Sequence, residues 1–226
     1  MSMTVVKICG LRDVEHMAAA AEAGADLVGL NFLPTVRRYV PPETGAALAS
    51  AFREQHQGPR LVGLFADQPV EHVNAVAKLV GLDLVQLCGS EGPEYWARVE
   101  PLVIKVVHVP TPASGDTDDE YAAVETVEAR LHSINDAGHM ALLDRQSPVQ
   151  PGGMGLTFDW SIAREMAALG HRFILAGGLT PENVGAAIDE VAPWGVDVSS
   201  GVETEGVKDI AKIRRFVAAA RQGAAL

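Results

Sequence analysis

Two residues that could form an acid–base pair each end a short apolar run. Cys9 closes the first apolar run of the chain, and Asp144 closes a later one. A thiol near positive charge can take a proton from carbon, and a carboxylic acid can deliver one to oxygen. Together they suit proton-transfer chemistry such as sugar-phosphate isomerisation. The alternatives are that Cys9 is a small buried hydrophobe and that Asp144 pairs with Arg145 or Lys7.

Glycine-rich segments follow three other apolar runs and predict a phosphate site. They are Gly152-Gly153-Met154-Gly155, Gly177-Gly178 and Ser200-Gly201. Glycine lets the backbone approach a ligand and turn its N–H groups toward an anion. The last two segments lie in the loops that typically hold phosphate in an eight-stranded barrel. The alternative is that these glycines serve only tight turns.

Three charged side chains are candidates for binding a polar substrate. Arg37 and Arg38 follow the second apolar run, where one guanidinium could clamp a carboxylate through two hydrogen bonds. A solvated basic loop is the alternative reading of this pair. Asp197 lies within an apolar run and could accept a hydrogen bond from a substrate amine, or else form an ion pair in the protein interior.

The elements that must position these residues alternate along the chain. Short apolar runs predict strands buried on both faces, and amphipathic or alanine-rich segments between them predict helices. Eight such units in 226 residues favour an α/β protein with one domain over residues 1–226, a (βα)8 TIM barrel of parallel strands. A doubly wound sheet is the alternative, but the first strand is followed by Gly10-Leu11-Arg12 rather than G-x-G-x-x-G.

The active sites of such barrels lie at the C-terminal ends of the strands, so the polar residues there are predicted to meet at one rim. Asp13 is predicted to cap the first helix, and Pro181 to begin the seventh helix after Thr180. The predicted strands are Thr4–Cys9, Leu27–Phe32, Arg60–Phe65, Leu84–Leu87, Val103–Val107, Met140–Asp144, Phe173–Ala176 and Val196–Ser199. The predicted helices are Asp13–Ala23, Pro42–Glu54, Val70–Val80, Glu91–Glu100, Glu120–Asn135, Asp159–Leu169, Pro181–Val191 and Lys208–Arg221.

Composition argues against several functional classes. The chain has 18 Lys and Arg against 29 Asp and Glu, a net charge of −11, which disfavours nucleic acid and anionic membranes as partners. Two cysteines, no signal-like N-terminus and no long uncharged apolar run predict a cytoplasmic protein without a disulfide framework or membrane span. No metal-ligand spacing is present.

A set of motifs runs through nearly the whole chain and carries a family resemblance. The motifs are Val6-Lys7-Ile8-Cys9-Gly10-Leu11, Gln86-Leu87-Cys88-Gly89-Ser90-Glu91, Leu142-Leu143-Asp144, Gly152-Gly153-Met154-Gly155 with Phe158-Asp159-Trp160, Leu175-Ala176-Gly177-Gly178-Leu179 with Pro181-Glu182-Asn183-Val184, and Asp197-Val198-Ser199-Ser200-Gly201-Val202-Glu203 with Gly206 and Lys208-Asp209. In this order they resemble the phosphoribosylanthranilate isomerase family of tryptophan biosynthesis. K-I-C-G near the start and D-V-S-S-G-V-E near the end make the resemblance specific.

The resemblance implies a (βα)8 barrel without a cofactor that acts on a small phosphorylated substrate by an Amadori rearrangement, as a monomer or homodimer. It implies Cys9 as the general base and Asp144 as the general acid. It also implies that Arg38, in Arg38-Tyr39-Val40, binds the substrate carboxylate and that Asp197 lies near the anthranilate amine. The backbone N–H groups expected to hold the phosphate are those around Gly177, Gly178, Ser200 and Gly201.

Three positions depart from the family pattern. Cys88 stands where the family usually has histidine, Val36 where it usually has serine, and Met154 where it usually has threonine or serine. These changes leave open an isomerase of a related aminoribosyl phosphate. The glycine-rich phosphate loops, which many barrels share, also leave open another phosphosugar isomerase and a phosphometabolite-binding protein without catalysis.

Overall fold

A computed structural model describes residues 3–109, 117–145 and 160–223. Its main sheet is a closed barrel of eight parallel strands that pair in chain order, with β8 returning to β1. The strands are β1 Val5–Cys9, β2 Leu27–Asn31, β3 Arg60–Phe65, β4 Leu84–Leu87, β5 Leu102–Val109, β6 Met140–Arg145, β7 Phe173–Leu175 and β8 Gly195–Val198. The predicted (βα)8 barrel is confirmed.

Helices alternate with these strands and cover the outside of the barrel. They are α1 Val14–Ala23, α2 Pro42–Gln55, α3 Val70–Val80, α4 Pro93–Trp96, α5 Thr117–Asp136, α6 Ser161–Ala168, α7 Val184–Val191 and α8 Ile210–Gly223. Asp13 caps α1 as predicted, since its carboxylate accepts a hydrogen bond from the His16 N–H at 2.9 Å. No helix in these three segments is long and apolar enough to cross a membrane.

Four helices, α4, α6, α7 and α8, begin two or three residues later than the sequence suggests; α8 starts at Ile210 and not at Lys208. Pro181 does not start α7; residues 181–183 form a turn in which Asn183 accepts a hydrogen bond from the Thr180 N–H, and α7 starts at Val184. The helix predicted at Glu91–Glu100 is reduced to Pro93–Trp96. Its first turn is lost because the side chain of Glu91 points inward to bind Lys105.

Strand side chains divide into two packed layers, which explains why the strands lack polar alternation. Alternate side chains of β1, such as Val6 and Ile8, pack outward against the helices, while Cys9 packs into the barrel interior. The interior cluster is apolar over most of its depth and comprises Cys9, Leu27, Val62, Leu64, Leu84, Ile104, Val106, Leu142, Ile174 and Ala176.

A small substructure that the sequence did not predict follows β8. A 3-10 turn, Ser200–Val202, leads into an antiparallel hairpin of β9 Glu203–Thr204 and β10 Val207–Lys208. This hairpin precedes α8, so it lies at the end of the barrel where the strands terminate. It carries two charged residues, Glu203 and Lys208, that belong to the site described next.

Candidate active site

A buried ion pair lies directly beneath the end of β1. Lys7 and Asp197 are register partners on β1 and β8, and the Lys7 ammonium donates to Asp197 Oδ1 at 2.9 Å. Both side chains are buried. Burial acts to lower the pKa of Lys7, but the Asp197 carboxylate and the neighbouring Cys9 sulfur together more than offset this and hold it above its ordinary value. The predicted alternative for Asp197, an interior ion pair, is therefore present, and its partner is Lys7.

Cys9 lies two residues after Lys7 on the same inner face of the barrel. The thiol is buried, and a methyl group on neighbouring Gly29 would lie 3.1 Å from its sulfur. Burial raises the pKa of Cys9, and the Asp197 carboxylate raises it further, whereas Lys7 and Lys208 act to lower it. The two lysines therefore favour the thiolate in a site whose burial opposes it.

Asp144 reaches the same rim from β6. It follows Leu142, an interior residue, by two positions, so it belongs to the inner face at the C-terminal end of its strand. The side chain is half-buried, and its register partner on β5 is His108. A thiol and a carboxyl group thus end two separate strands of one barrel mouth, as the sequence predicts.

Arg38 occupies the mouth beside Cys9 and is not part of a solvated loop. A methyl group on Gly10, the residue after Cys9, would lie 2.5 Å from Arg38 Cδ. The guanidinium donates from Nε to Glu203 Oε1 at 2.6 Å and from Nη2 to Glu203 Oε2 at 2.9 Å. Arg37, in contrast, is 53% exposed.

The buried carboxylate of Glu203 forms ion pairs with three cations. Besides Arg38, Arg37 donates to Oε2 at 2.6 Å, and the Lys208 ammonium lies 3.2 Å from Oε1. Burial alone would raise the pKa of Glu203, but the hydrogen bonds from the arginines and the charge of Lys208 lower it to about 2. Neither Glu203 nor Lys208 has a role that the sequence alone predicts. The only signals were the glutamate that follows Ser200-Gly201 and the arginine pair far from it in the chain.

Two loops approach each other on the other side of Cys9. Gly177 and Gly178 follow β7 with φ values of 87° and 76°, a left-handed conformation that favours glycine. A methyl group on Gly201 would overlap the carbonyl of Leu179, so glycine lets the loops after β7 and β8 touch. The four backbone positions predicted for phosphate, including Ser200, are thereby brought to one place. The segment Gly152–Gly155 lies outside the described residues.

One buried residue in the wall of the site has a polar atom without a hydrogen-bond partner in the described segments. Gln86 is buried on the inner face of β4, and its Oε1 atom has no hydrogen-bond partner within the described segments. Its amide N–H₂ points toward Cys88 Sγ at 3.5 Å. Burial raises the pKa of Cys88 to about 12, so this thiol stays neutral near pH 7. Of the other departures from the family pattern, Val36 is exposed and Met154 lies outside the described residues.

The described residues offer no metal site, and a large cavity lies at the end of the barrel opposite this rim. Over the described parts of the chain, no group of three or more His, Cys, Asp and Glu side chains could hold a metal ion. A cavity of about 520 Å³ opens at the opposite end of the barrel, where Arg172 lies over the Trp194 ring. That end carries the N-termini of the strands, which serve stability rather than catalysis in (βα)8 enzymes.

Comparison with known proteins identifies the relatives of this chain. Residues 6–219 match the family model described as N-(5'phosphoribosyl)anthranilate (PRA) isomerase. The chain is 44% identical to N-(5'-phosphoribosyl)anthranilate isomerase of Roseiflexus castenholzii, with 97% of this chain and 99% of that protein covered.

Solved structures agree with the family match. The monomeric form of a dimeric phosphoribosylanthranilate isomerase from Thermotoga maritima superposes with a TM-score of 0.78 at 34% identity, covering 97% of this chain and all (100%) of the other. A second structure of such an isomerase, in complex with reduced 1-(o-carboxyphenylamino)-1-deoxyribulose 5-phosphate, superposes with a TM-score of 0.77 at 34% identity and the same coverage of 97% and 100%.

Proposed function

Because the chain belongs to the N-(5'-phosphoribosyl)anthranilate isomerase family, we propose that it converts N-(5-phosphoribosyl)anthranilate to 1-(2-carboxyphenylamino)-1-deoxyribulose 5-phosphate in tryptophan biosynthesis. The observation that carries the proposal is the placement of Cys9 and Asp144 on the inner face at the ends of β1 and β6. Acid–base isomerisation needs two such groups on either side of a substrate.

Asp144 acts as the general acid and Cys9 as the general base. Asp144 protonates the furanose ring oxygen as the bond from that oxygen to C1′ breaks, and the aniline nitrogen lone pair forms an iminium. The Cys9 thiolate then removes the C2′ proton, and the electrons of that bond neutralise the iminium to give an enolamine. Proton transfer to C1′ and loss of the enol proton complete the ketose. Lys7 and Lys208 support the thiolate electrostatically.

Substrate binding uses the rest of the rim. Arg38 binds the anthranilate carboxylate, because guanidinium groups bind carboxylates through paired hydrogen bonds. Asp197 accepts a hydrogen bond from the substrate amine. Backbone N–H groups around Gly177, Gly178, Ser200 and Gly201 hold the phosphate, which is the usual role of the loops after β7 and β8 in this fold. The positive φ angles of the two β7 glycines support this assignment.

The remaining expectations from sequence belong to the same proposal. The whole chain, residues 1–226, works as one catalytic domain in the cytoplasm. It needs no cofactor and binds neither nucleic acid nor membranes, in keeping with its net charge of −11. It functions as a monomer or a homodimer; a relative of similar structure is a dimeric enzyme.

The first test is turnover of phosphoribosylanthranilate generated in situ, followed by loss of its fluorescence. The wild type is expected to turn over, and Asp144→Asn and Cys9→Ser should each lose about 10²–10⁴-fold in kcat. Binding of the reduced product analogue to Cys9→Ser should stay within about tenfold of wild type, because a base contributes mainly in the transition state. Asp136→Asn, an exposed change at the end of α5, serves as the control.

Two results would count against the proposal. Full activity of either variant would show that the acid or the base is misassigned. A folded wild type without turnover would instead favour an isomerase of a related aminoribosyl phosphate. Cys88 supports that second candidate, since it replaces the family's usual histidine on the wall of the site.

A further inference from the structure

The Arg38 guanidinium is held along one edge only. Glu203 binds Nε and Nη2, the side-on edge, with distances of 2.6 and 2.9 Å. Within the described segments, Glu203 is the sole hydrogen-bond partner of this guanidinium. A guanidinium has five N–H donors, so the end-on edge formed by Nη1 and the second N–H of Nη2 remains available for another carboxylate.

Glu203 is itself fixed from several directions. Lys208 lies 3.2 Å from Oε1 and also donates to the Ser199 carbonyl at 2.7 Å, so the carboxylate is anchored to the end of β8. Lys212 donates to the Glu203 carbonyl at 2.7 Å. Arg37 donates to Oε2 and to the Gly206 carbonyl across the hairpin. Glu203 is therefore a rigid support and not a mobile surface side chain.

The stem of Arg38 is fixed as well. Its Cδ lies only 2.5 Å from where a methyl group on Gly10 would be, so the side chain rests on the backbone directly after Cys9. With the stem on Gly10 and the side-on edge on Glu203, the guanidinium has one orientation. A long arginine held at both points loses little further side-chain entropy when it binds a ligand.

Glu203 and its three cationic partners together carry a net positive charge, which can attract an anionic ligand. Arg37, Arg38 and Lys208 surround one carboxylate, so Glu203 does not neutralise them all. Within a chain of net charge −11, this local excess of positive charge lies at the barrel mouth. It favours a ligand that carries a carboxylate.

We propose that Glu203 is a positioning residue for substrate recognition, which holds Arg38 so that its end-on edge receives the substrate carboxylate. The inference rests on the function proposed above for Arg38 and adds the residue that orients it. Arg38 would thus bind two carboxylates at once, a permanent one from the protein and a transient one from the substrate.

The test compares two ligands on each variant by isothermal titration. One ligand is reduced 1-(o-carboxyphenylamino)-1-deoxyribulose 5-phosphate, and the other is the same molecule made from aniline, which lacks the carboxylate. In Glu203→Gln the guanidinium is no longer fixed, so the Kd of the carboxylate ligand should rise about tenfold or more. The Kd of the aniline ligand should change by less than about twofold. Glu203→Asp, which keeps the charge on a shorter stem, should lose affinity in the same selective way but less.

Arg214→Gln is the matched control, because it removes an exposed arginine–glutamate ion pair, that of Arg214 on α8 with Glu22 on α1, which takes no part in holding Glu203. It should leave the difference between the two ligands unchanged. If Glu203→Gln raises the Kd of both ligands equally, Glu203 only stabilises the loops, and the proposal is wrong. If Arg38→Met weakens the carboxylate ligand selectively and Glu203→Gln does not, the role of Arg38 stands and the positioning role of Glu203 fails. If Arg38→Met weakens both ligands equally, the function proposed for Arg38 fails, and the inference drawn from it fails too.

Discussion

Two buried lysine–carboxylate pairs on opposite faces of the strand layer look alike by distance. Lys7 lies 2.9 Å from Asp197 inside the barrel, and Lys105 lies 2.8 Å from Glu91 outside it, under the loop after β4. All four side chains are buried. The two pairs differ in how many of their donor and acceptor atoms already have hydrogen-bond partners.

The outer pair is saturated. Lys105 donates to Glu91 and to the carbonyls of Leu87 and Gly89 at 3.3 and 2.5 Å. Glu91 Oε1 accepts from the Asp67 N–H at 2.7 Å, and Oε2 accepts from the Gly89 N–H at 3.0 Å. Because each carboxylate oxygen and the ammonium have partners, this pair ties the loops after β3 and β4 to β5.

The inner pair is not saturated. Among the residues that the structure describes, Lys7 supplies the only hydrogen bond to the Asp197 carboxylate, through Oδ1. The pair lies beside Cys9, whose pKa it changes in both directions. Its unused oxygen suits a substrate donor. A buried ion pair with spare hydrogen-bonding capacity therefore indicates function, and a saturated one indicates structure.

Glu91→Gln should give the largest effect in this comparison, on stability. The change leaves the Lys105 charge buried without its counter-ion, which typically costs about 3–5 kcal/mol of unfolding free energy. Urea unfolding measures this loss, and kcat of the folded variant should stay within about twofold. A tenfold loss of kcat under conditions where all of the variant is folded would mean that the outer pair also serves catalysis.

Asp197→Asn should affect activity as well as stability. Loss of a charged hydrogen-bond acceptor for the substrate amine should lower kcat/KM by about ten- to a hundredfold, corresponding to about 1.5–3 kcal/mol. The readout is steady-state kinetics on variant enzyme whose folded fraction is known from its unfolding curve. Unchanged kcat/KM in the folded fraction would make the inner pair structural like the outer one.

Asp197→Asn should also change the pH dependence of the activity. Asp197 raises the pKa of Cys9, so its neutralisation should lower that pKa and move the acidic limb of the kcat/KM profile to lower pH. In the wild type, where burial raises the pKa of Cys9, kcat/KM should still rise toward pH 9. Glu91→Gln should leave the profile in place, since the charges with the largest effects on the pKa of Cys9 are those of Lys7, Asp197 and Lys208.

Much of this arrangement could be predicted from the sequence. Short apolar runs located the strands within one or two residues at most ends, and strand ends placed Cys9, Asp144 and the glycine loops at one rim. Local patterns suffice for this, because parallel strands in a barrel all end on the same side.

Pairing between distant charged residues could not be predicted in the same way. Glu203 meets Arg38 across 165 positions, and Lys7 meets Asp197 across 190. A sequence shows which residues carry charge but not which ones the closed barrel brings together. Glu91 illustrates the local consequence, since its contact with Lys105 removes it from the helix that its neighbours predict.

Ser90→Ala should give the smallest effect, because Ser90 lies at the exposed edge of the saturated outer pair. Its hydroxyl donates to Asp67 Oδ1 at 2.7 Å, and its backbone N–H donates to the same oxygen at 2.7 Å. The backbone bond survives the substitution, so unfolding free energy should fall by about 1 kcal/mol or less, with kcat and KM unchanged. A loss as large as that of Glu91→Gln would contradict this account of the outer pair. It would show that the outer network depends on its exposed hydrogen bonds and not on the buried charge pair.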